Sequence, residues 1–132
     1  MITHARGLVC VPKVEERLAR IRQQEEETRA LVADVGSLVP HPLVLDADAL
    51  VPEVVEVVAG KRKGAQIVCT PHVGEFERLS GGHASTEALN RYCRKWGVVT
   101  CLKGPTTRVS DGEAVCHNIF GGPVLARGGS GD

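Results

Sequence analysis

The stretch Arg127-Gly128-Gly129-Ser130-Gly131-Asp132 sets three glycines beside a carboxylate. Bare glycine backbone can take positive φ and turn successive N–H groups toward an anion, so the string reads as an anion cradle with a base at its end, or as a flexible loop. Lys103-Gly104-Pro105-Thr106-Thr107 offers an ammonium, a close-approach glycine and two hydroxyls, the donors a nucleotide needs, or else a tight turn. In Thr70-Pro71-His72-Val73-Gly74-Glu75-Phe76 a stiffened segment presents an imidazole and, three residues on, a carboxylate that could hold Mg2+ through water. A helix cap accounts for Glu75 there but leaves His72 unexplained. Asp46-Ala47-Asp48 places carboxylates on alternate positions, which in an extended chain share one side.

These groups need elements to bring them together. Leu8-Val9-Cys10-Val11, closed by Pro12, reads as a short buried strand. From there to about Asp34 the chain is helical, with Val14, Leu18, Ile21, Leu31, Val32 and Val35 near a 3.6 period. The polar run Gln23 to Glu27 leaves one helix or two open, and Gly36 marks a stop. Leu43-Val44-Leu45, Ile67-Val68-Cys69 and Val98 to Leu102 have the composition of buried strands. Between them fall helical stretches from Pro52 to Gly60, Gly74 to Ser80 and Ser85 to Trp96. Val109 and Ser110 run into an Asp111-Gly112 turn and a return strand at Ala114-Val115-Cys116. The basic triplet Lys61-Arg62-Lys63 reads as a solvated helix end rather than a phosphate patch.

Strands alternating with helices imply a parallel sheet covered on both faces, with a late antiparallel hairpin. In such sheets the ligand crevice lies beyond the carboxyl ends of the strands, where every polar cluster above falls. Length and charge are consistent with this. A chain of 132 residues allows one domain, and 16 basic against 16 acidic residues give no electrostatic basis for nucleic-acid binding. Two Phe, one Tyr and one Trp are too few for a stacking surface. Five cysteines without a CxxC pair read as buried filler in a reducing compartment, and no segment has the apolar length of a leader or a membrane span. A cytoplasmic location is expected.

The ordered strings Pro42 to Leu50, Thr70 to Leu79, Leu102 to Thr107 and Ala126 to Asp132 resemble the motifs of the bacterial ADP-dependent NAD(P)H-hydrate dehydratases, members of the ribokinase-like superfamily. The resemblance covers about Glu27 to Asp132. It implies a three-layer αβα, Rossmann-like fold with a mostly parallel sheet, present here as a single incomplete domain over residues 1–132. It also implies that Asp132 is the base that deprotonates the hydroxyl of a hydrated nicotinamide ring, and that His72 contacts the same substrate. Lys103, Gly104, Pro105, Thr106, Thr107 and Gly131 would hold ADP, and the AMP left after transfer, with Glu75 orienting Mg2+ or its waters. ADP, or ATP, would be the co-substrate and hydrated NADH or NADPH the substrate, in a homo-oligomeric complete protein. Related kinases carry Asn-x-x-Glu where His72 and Glu75 stand.

Three positions depart from the family pattern. Val51 replaces an Asn after Asp46-Ala47-Asp48-Ala49-Leu50, and residues 1–24 match nothing in it. Asp132 also carries the α-carboxylate of this sequence. At about 4 Å and an effective dielectric near 20, that second charge would repel an entering phosphate by about 4 kcal/mol. The chain is therefore expected to be the central part of a longer protein, weak or inactive alone. Two alternatives are a ribokinase-like kinase of a small alcohol and a non-catalytic remnant that binds nucleotide or a partner.

Overall fold

A computed structural model of the chain describes residues 2–62, 64 and 66–120, with side chains from residue 14 onward. The strands are β1 (Leu43–Leu45), β2 (Ile67–Cys69), β3 (Val99–Leu102), β4 (Thr107–Ser110) and β5 (Val115–Asn118). They form one five-stranded sheet in sequence order, parallel through β1, β2 and β3 and antiparallel from β3 to β5. The helices are α1 (Ile2–Leu38), α2 (Pro52–Lys61), α3 (Val73–Ser80) and α4 (Thr86–Trp96), with a 3-10 turn at Ala47–Ala49. This is the expected α/β class.

Local chemistry explains where the helices begin and end. Pro52 occupies the first turn of α2, where its missing N–H has no partner to lose. Ser85 caps α4 by accepting the Ala88 N–H at 3.0 Å. Gly81 and Gly97 close α3 and α4 in the left-handed conformation. At 8 to 11 residues, α2, α3 and α4 are too short to persist alone, so packing must hold them. Val54, Val55 and Val58 of α2, Phe76 and Leu79 of α3, and Leu89, Tyr92 and Cys93 of α4 share one core with Leu45, Ile67, Cys69 and Leu102 of the sheet. Phe76 and Tyr92 meet edge to face with ring centroids 5.5 Å apart. Each aliphatic side chain fully buried there contributes about 1.5–3 kcal/mol.

Among the described residues the helices cover only that face of the sheet. The opposite face carries Val44, Val68, Val99, Cys101, Val109 and Cys116, and Val44 is 64% exposed.

Three expectations are corrected and one open alternative is decided. The run Leu8 to Val11 is not a strand but part of α1, since four apolar residues carry no period that separates strand from helix. The polar run Gln23 to Glu27 does not divide α1 either, and Gln23 donates to Glu27 across one turn at 3.0 Å. Arg62 is no solvated helix end: it is 6% exposed, and its guanidinium donates to the carbonyls of Gly36 at 2.9 Å, Val39 at 2.6 Å and His41. It closes the C-terminal end of α1, where a cation suits the helix dipole and only a planar fork reaches several carbonyls. Cysteines divide as well: Cys69 and Cys93 are buried, whereas Cys101 is half-buried and Cys116 exposed on the edge strand.

Candidate active site at the strand ends

The carboxyl ends of β1, β2 and β3 bring Asp46, Thr70 and Lys103 together. Asp46 occupies the position that would cap the 3-10 turn, yet its side chain makes no cap hydrogen bond. It turns across the sheet instead. Asp46 Oδ1 accepts the Thr70 hydroxyl at 2.7 Å and lies 3.4 Å from Lys103 Nζ. The Thr70 bond, joined by the Ala47 N–H and the Lys103 charge, holds the Asp46 carboxyl below its ordinary pKa. With Asp46 46% and Lys103 37% exposed, the pair is solvated and open to a ligand.

One step further on, His72 and Lys103 form a parallel β-bridge that prolongs the β2–β3 pairing, with the Lys103 N–H donating to the Pro71 carbonyl at 2.7 Å. The imidazole and the ammonium therefore leave neighbouring backbones. His72 also starts α3. Its Nδ1 accepts the Glu75 N–H at 3.2 Å, while Glu75 Oε2 accepts the His72 N–H at 2.8 Å. This reciprocal capping box accounts for both residues, so a helix cap explains His72 as well as Glu75. Asn-x-x-Glu supplies the same acceptor and carboxylate, which is why both strings suit one place in the fold.

Gly104, Pro105 and Thr106 form the exposed connection from β3 to β4, so the turn and the candidate nucleotide loop are one segment. Thr107 opens β4, its hydroxyl 3.5 Å from the Gly104 carbonyl. Gly131 and Asp132, with the rest of the glycine string, lie outside the described residues. Asp46 and Asp48 do not share a side: the 3-10 turn breaks the alternation after β1, with Ala47 at φ 50°, and sends Asp48 into a groove. That groove, of about 430 Å3, runs between α1 and the 3-10 turn, and Glu75 reaches its wall. No group of three His, Cys, Asp or Glu able to hold a metal ion occurs among the described residues. Burial pushes the Cys69 thiol up to about 12, which leaves it inert.

Thr70 and Gly74 are the contributors that motif reading passed over. Thr70 stands inside the Thr70-Pro71-His72 string, but only the parallel register puts its hydroxyl against Asp46. A Cβ at Gly74 would come within 3.2 Å of His72 Cε1, so the missing side chain leaves room for the ring.

Parallel strands joined by helical crossovers, with polar groups gathered at the strand ends, define an α/β fold of a known kind. A ribokinase-like superfamily protein from Enterococcus faecalis V583 shares the fold, with a TM-score of 0.51 over 81% of this chain and 48% of that one, at 24% identity. The chain belongs to the NAD(P)H-hydrate dehydratase family, whose model matches residues 22–132. An ADP-dependent (S)-NAD(P)H-hydrate dehydratase from Cenarchaeum symbiosum is 40% identical over 96 residues, which is 67% of this chain and 31% of the relative. The ADP/ATP-dependent NAD(P)H-hydrate dehydratase from Bacillus subtilis, co-crystallised with ATP and Mg2+ and soaked with CoA, superimposes with a TM-score of 0.54. The match is 27% identical and covers 67% of this chain and 33% of that one. The chain thus spans about a third of the length of these two dehydratases.

Proposed function

We propose that this chain carries the central part of an enzyme that uses ADP to dehydrate hydrated NADH or NADPH, releasing AMP and phosphate. The observation that carries the proposal is the His72–Lys103 bridge at the ends of parallel strands, in a chain of this family. Water is a poor leaving group and phosphate a good one. The β-phosphoryl group of ADP passes to the ring hydroxyl, whose proton goes to Asp132, and AMP leaves. The ring then expels phosphate and loses a proton from the neighbouring carbon, restoring the dihydronicotinamide. Such transfers depend on positioning and on donors aimed at the developing charge.

In this reading Lys103 meets the phosphates, and Gly104, Pro105, Thr106, Thr107 and Gly131 line the nucleotide. His72 contacts the hydrated ring. Glu75 commits one carboxylate oxygen to the cap, and the described residues build no cation cage, so Mg2+ would arrive with the nucleotide's phosphates. A cytoplasmic homo-oligomer belongs to the same reading, and the exposed Val44 face supports a covering partner, which sedimentation tests.

The deciding experiment incubates hydrated NADH, ADP and Mg2+ with the chain, and with the chain extended at both ends to the length of its relatives. Return of NADH absorbance with the extended protein, and none with AMP in place of ADP, is the expected result. No return with the extended protein overturns the proposal.

A further inference from the structure

Two contacts act on the His72 ring in the same sense. Nδ1 accepts the Glu75 N–H at 3.2 Å, which requires that nitrogen to be unprotonated. Nε2 lies 3.6 Å from Glu75 Oε1, a negative oxygen that favours a proton on the nitrogen facing it. Gly74 leaves the ring room in this place, because a Cβ there would press on Cε1 at 3.2 Å. The Glu75 side chain is only 12% exposed, whereas the His72 side chain is 55% exposed. The anchor is thus protected and the ring is left open to a ligand.

From this geometry we infer that Glu75, with room left by Gly74, fixes His72 as the Nε2–H tautomer, so that the imidazole meets its ligand as a hydrogen-bond donor and not as a base. Glu75 is then a positioning residue acting through His72. The ligand group that fits is an uncharged or anionic acceptor: a carboxamide oxygen, a hydroxyl oxygen or a phosphate. The part concerning the ligand rests on the function proposed above, where it leaves proton removal to another group. The tautomer itself is a property of the free chain.

Nitrogen-15 NMR of the histidine-labelled chain, without nucleotide and at a pH above imidazole titration, reads the tautomer directly. The resonance is assigned by its loss in His72→Asn. One hydrogen bond of ordinary net strength corresponds to about a fivefold preference, so His72 should show a pyridine-type Nδ1 and a pyrrole-type Nε2 in at least that ratio. Glu75→Ala removes the carboxylate and Gly74→Ala crowds the ring, and each should move the two shifts toward their average. Glu75→Gln keeps the reciprocal bond to the His72 N–H but discharges Oε1, and should give an intermediate ratio. A wild-type ring that is Nδ1–H, or evenly mixed, overturns the inference whether or not any variant folds. So does a ratio that Glu75→Ala leaves unchanged in a folded chain. Because no substrate is present, a failed dehydration assay with a pyridine-type Nδ1 would count against the enzyme reading and not against the tautomer.

Discussion

His72 and Lys103 lie opposite each other in a parallel β-bridge, three residues past the end of β2 and one past the end of β3. Backbone pairing that outlasts both strands fixes the imidazole and the ammonium relative to each other without any contact between their side chains. A substitution at one should therefore leave the other in place. Lys103→Ala is expected to weaken ADP binding about tenfold or more in calorimetry on the extended protein, the worth of one charge-assisted hydrogen bond. Lys103 is 37% exposed, so the unfolding free energy from urea titration should stay within about 0.5 kcal/mol of wild type. Unchanged ADP affinity would remove Lys103 from the nucleotide site.

Arg62 is expected to be the residue whose loss the fold tolerates least among the charged ones described. Its guanidinium is 6% exposed and serves the carbonyls of Gly36, Val39 and His41, linking the end of α2 to the end of α1 and the approach to β1. Arg62→Ala should cost about 2–4 kcal/mol, because buried carbonyls lose their partners. Arg62→Lys should recover less than half of that, since an ammonium cannot reproduce the fork. Denaturant midpoints of the three proteins decide, and full recovery by lysine would show that charge alone suffices.

How much of this was legible in advance follows from the range of the interactions. Val54, Val55, Val57 and Val58 mark α2, and Ser85 marks the start of α4, because a helix is written in contacts three and four residues apart. The placing of polar clusters at strand ends followed from alternation of strands and helices. Arg62 reads locally as a solvated helix end because its partners lie 21 to 26 residues away. The Thr70–Asp46 bond, 24 residues apart, depends in the same way on register, which no local pattern supplies. Leu8 to Val11 failed for the opposite reason: the run is too short to show any period.

Gly112 ties the β4–β5 connection to α4. Its φ is 97°, and a Cβ would meet the Arg94 backbone nitrogen at 2.8 Å, while Arg94 Nη2 donates to the Gly112 carbonyl at 2.8 Å. Gly112→Ala combines a left-handed backbone with a backbone clash and is expected to destabilise by about 2–3 kcal/mol. Gly82, whose Cβ would meet nothing within 4 Å, is the control, and Gly82→Ala should shift the melting midpoint little. Equal effects at both positions would deny the clash.

Asp46 gives stability a small pH dependence of known sign. Its carboxyl pKa is lowered in the folded chain, first by the Thr70 hydroxyl. The ionised form is thus favoured by folding, and its contribution is present above the unfolded value near 4 and lost as pH falls through the folded value. Because Asp46 is 46% exposed, the loss should be about 0.5 kcal/mol or less. Urea midpoints compared at about pH 6 and pH 3 should converge for wild type and Asp46→Asn at the lower pH. A gap that widens on acidification would reverse the assignment.

Under the proposed function His72 would serve the helix through Nδ1 and the ligand through Nε2, and a single substitution should separate the two duties. Asn is among the strongest helix caps, so His72→Asn keeps an acceptor for the Glu75 N–H and should hold stability within about 0.5 kcal/mol, whereas His72→Ala should cost about 1 kcal/mol. Neither variant reaches the position of Nε2. Both should therefore lose hydrated-NADH turnover in the extended protein together, by about tenfold if one hydrogen bond to the ring is removed. If the two variants instead differed in activity as they differ in stability, the contribution of His72 would lie in holding α3, and its contact with the substrate would have to be withdrawn.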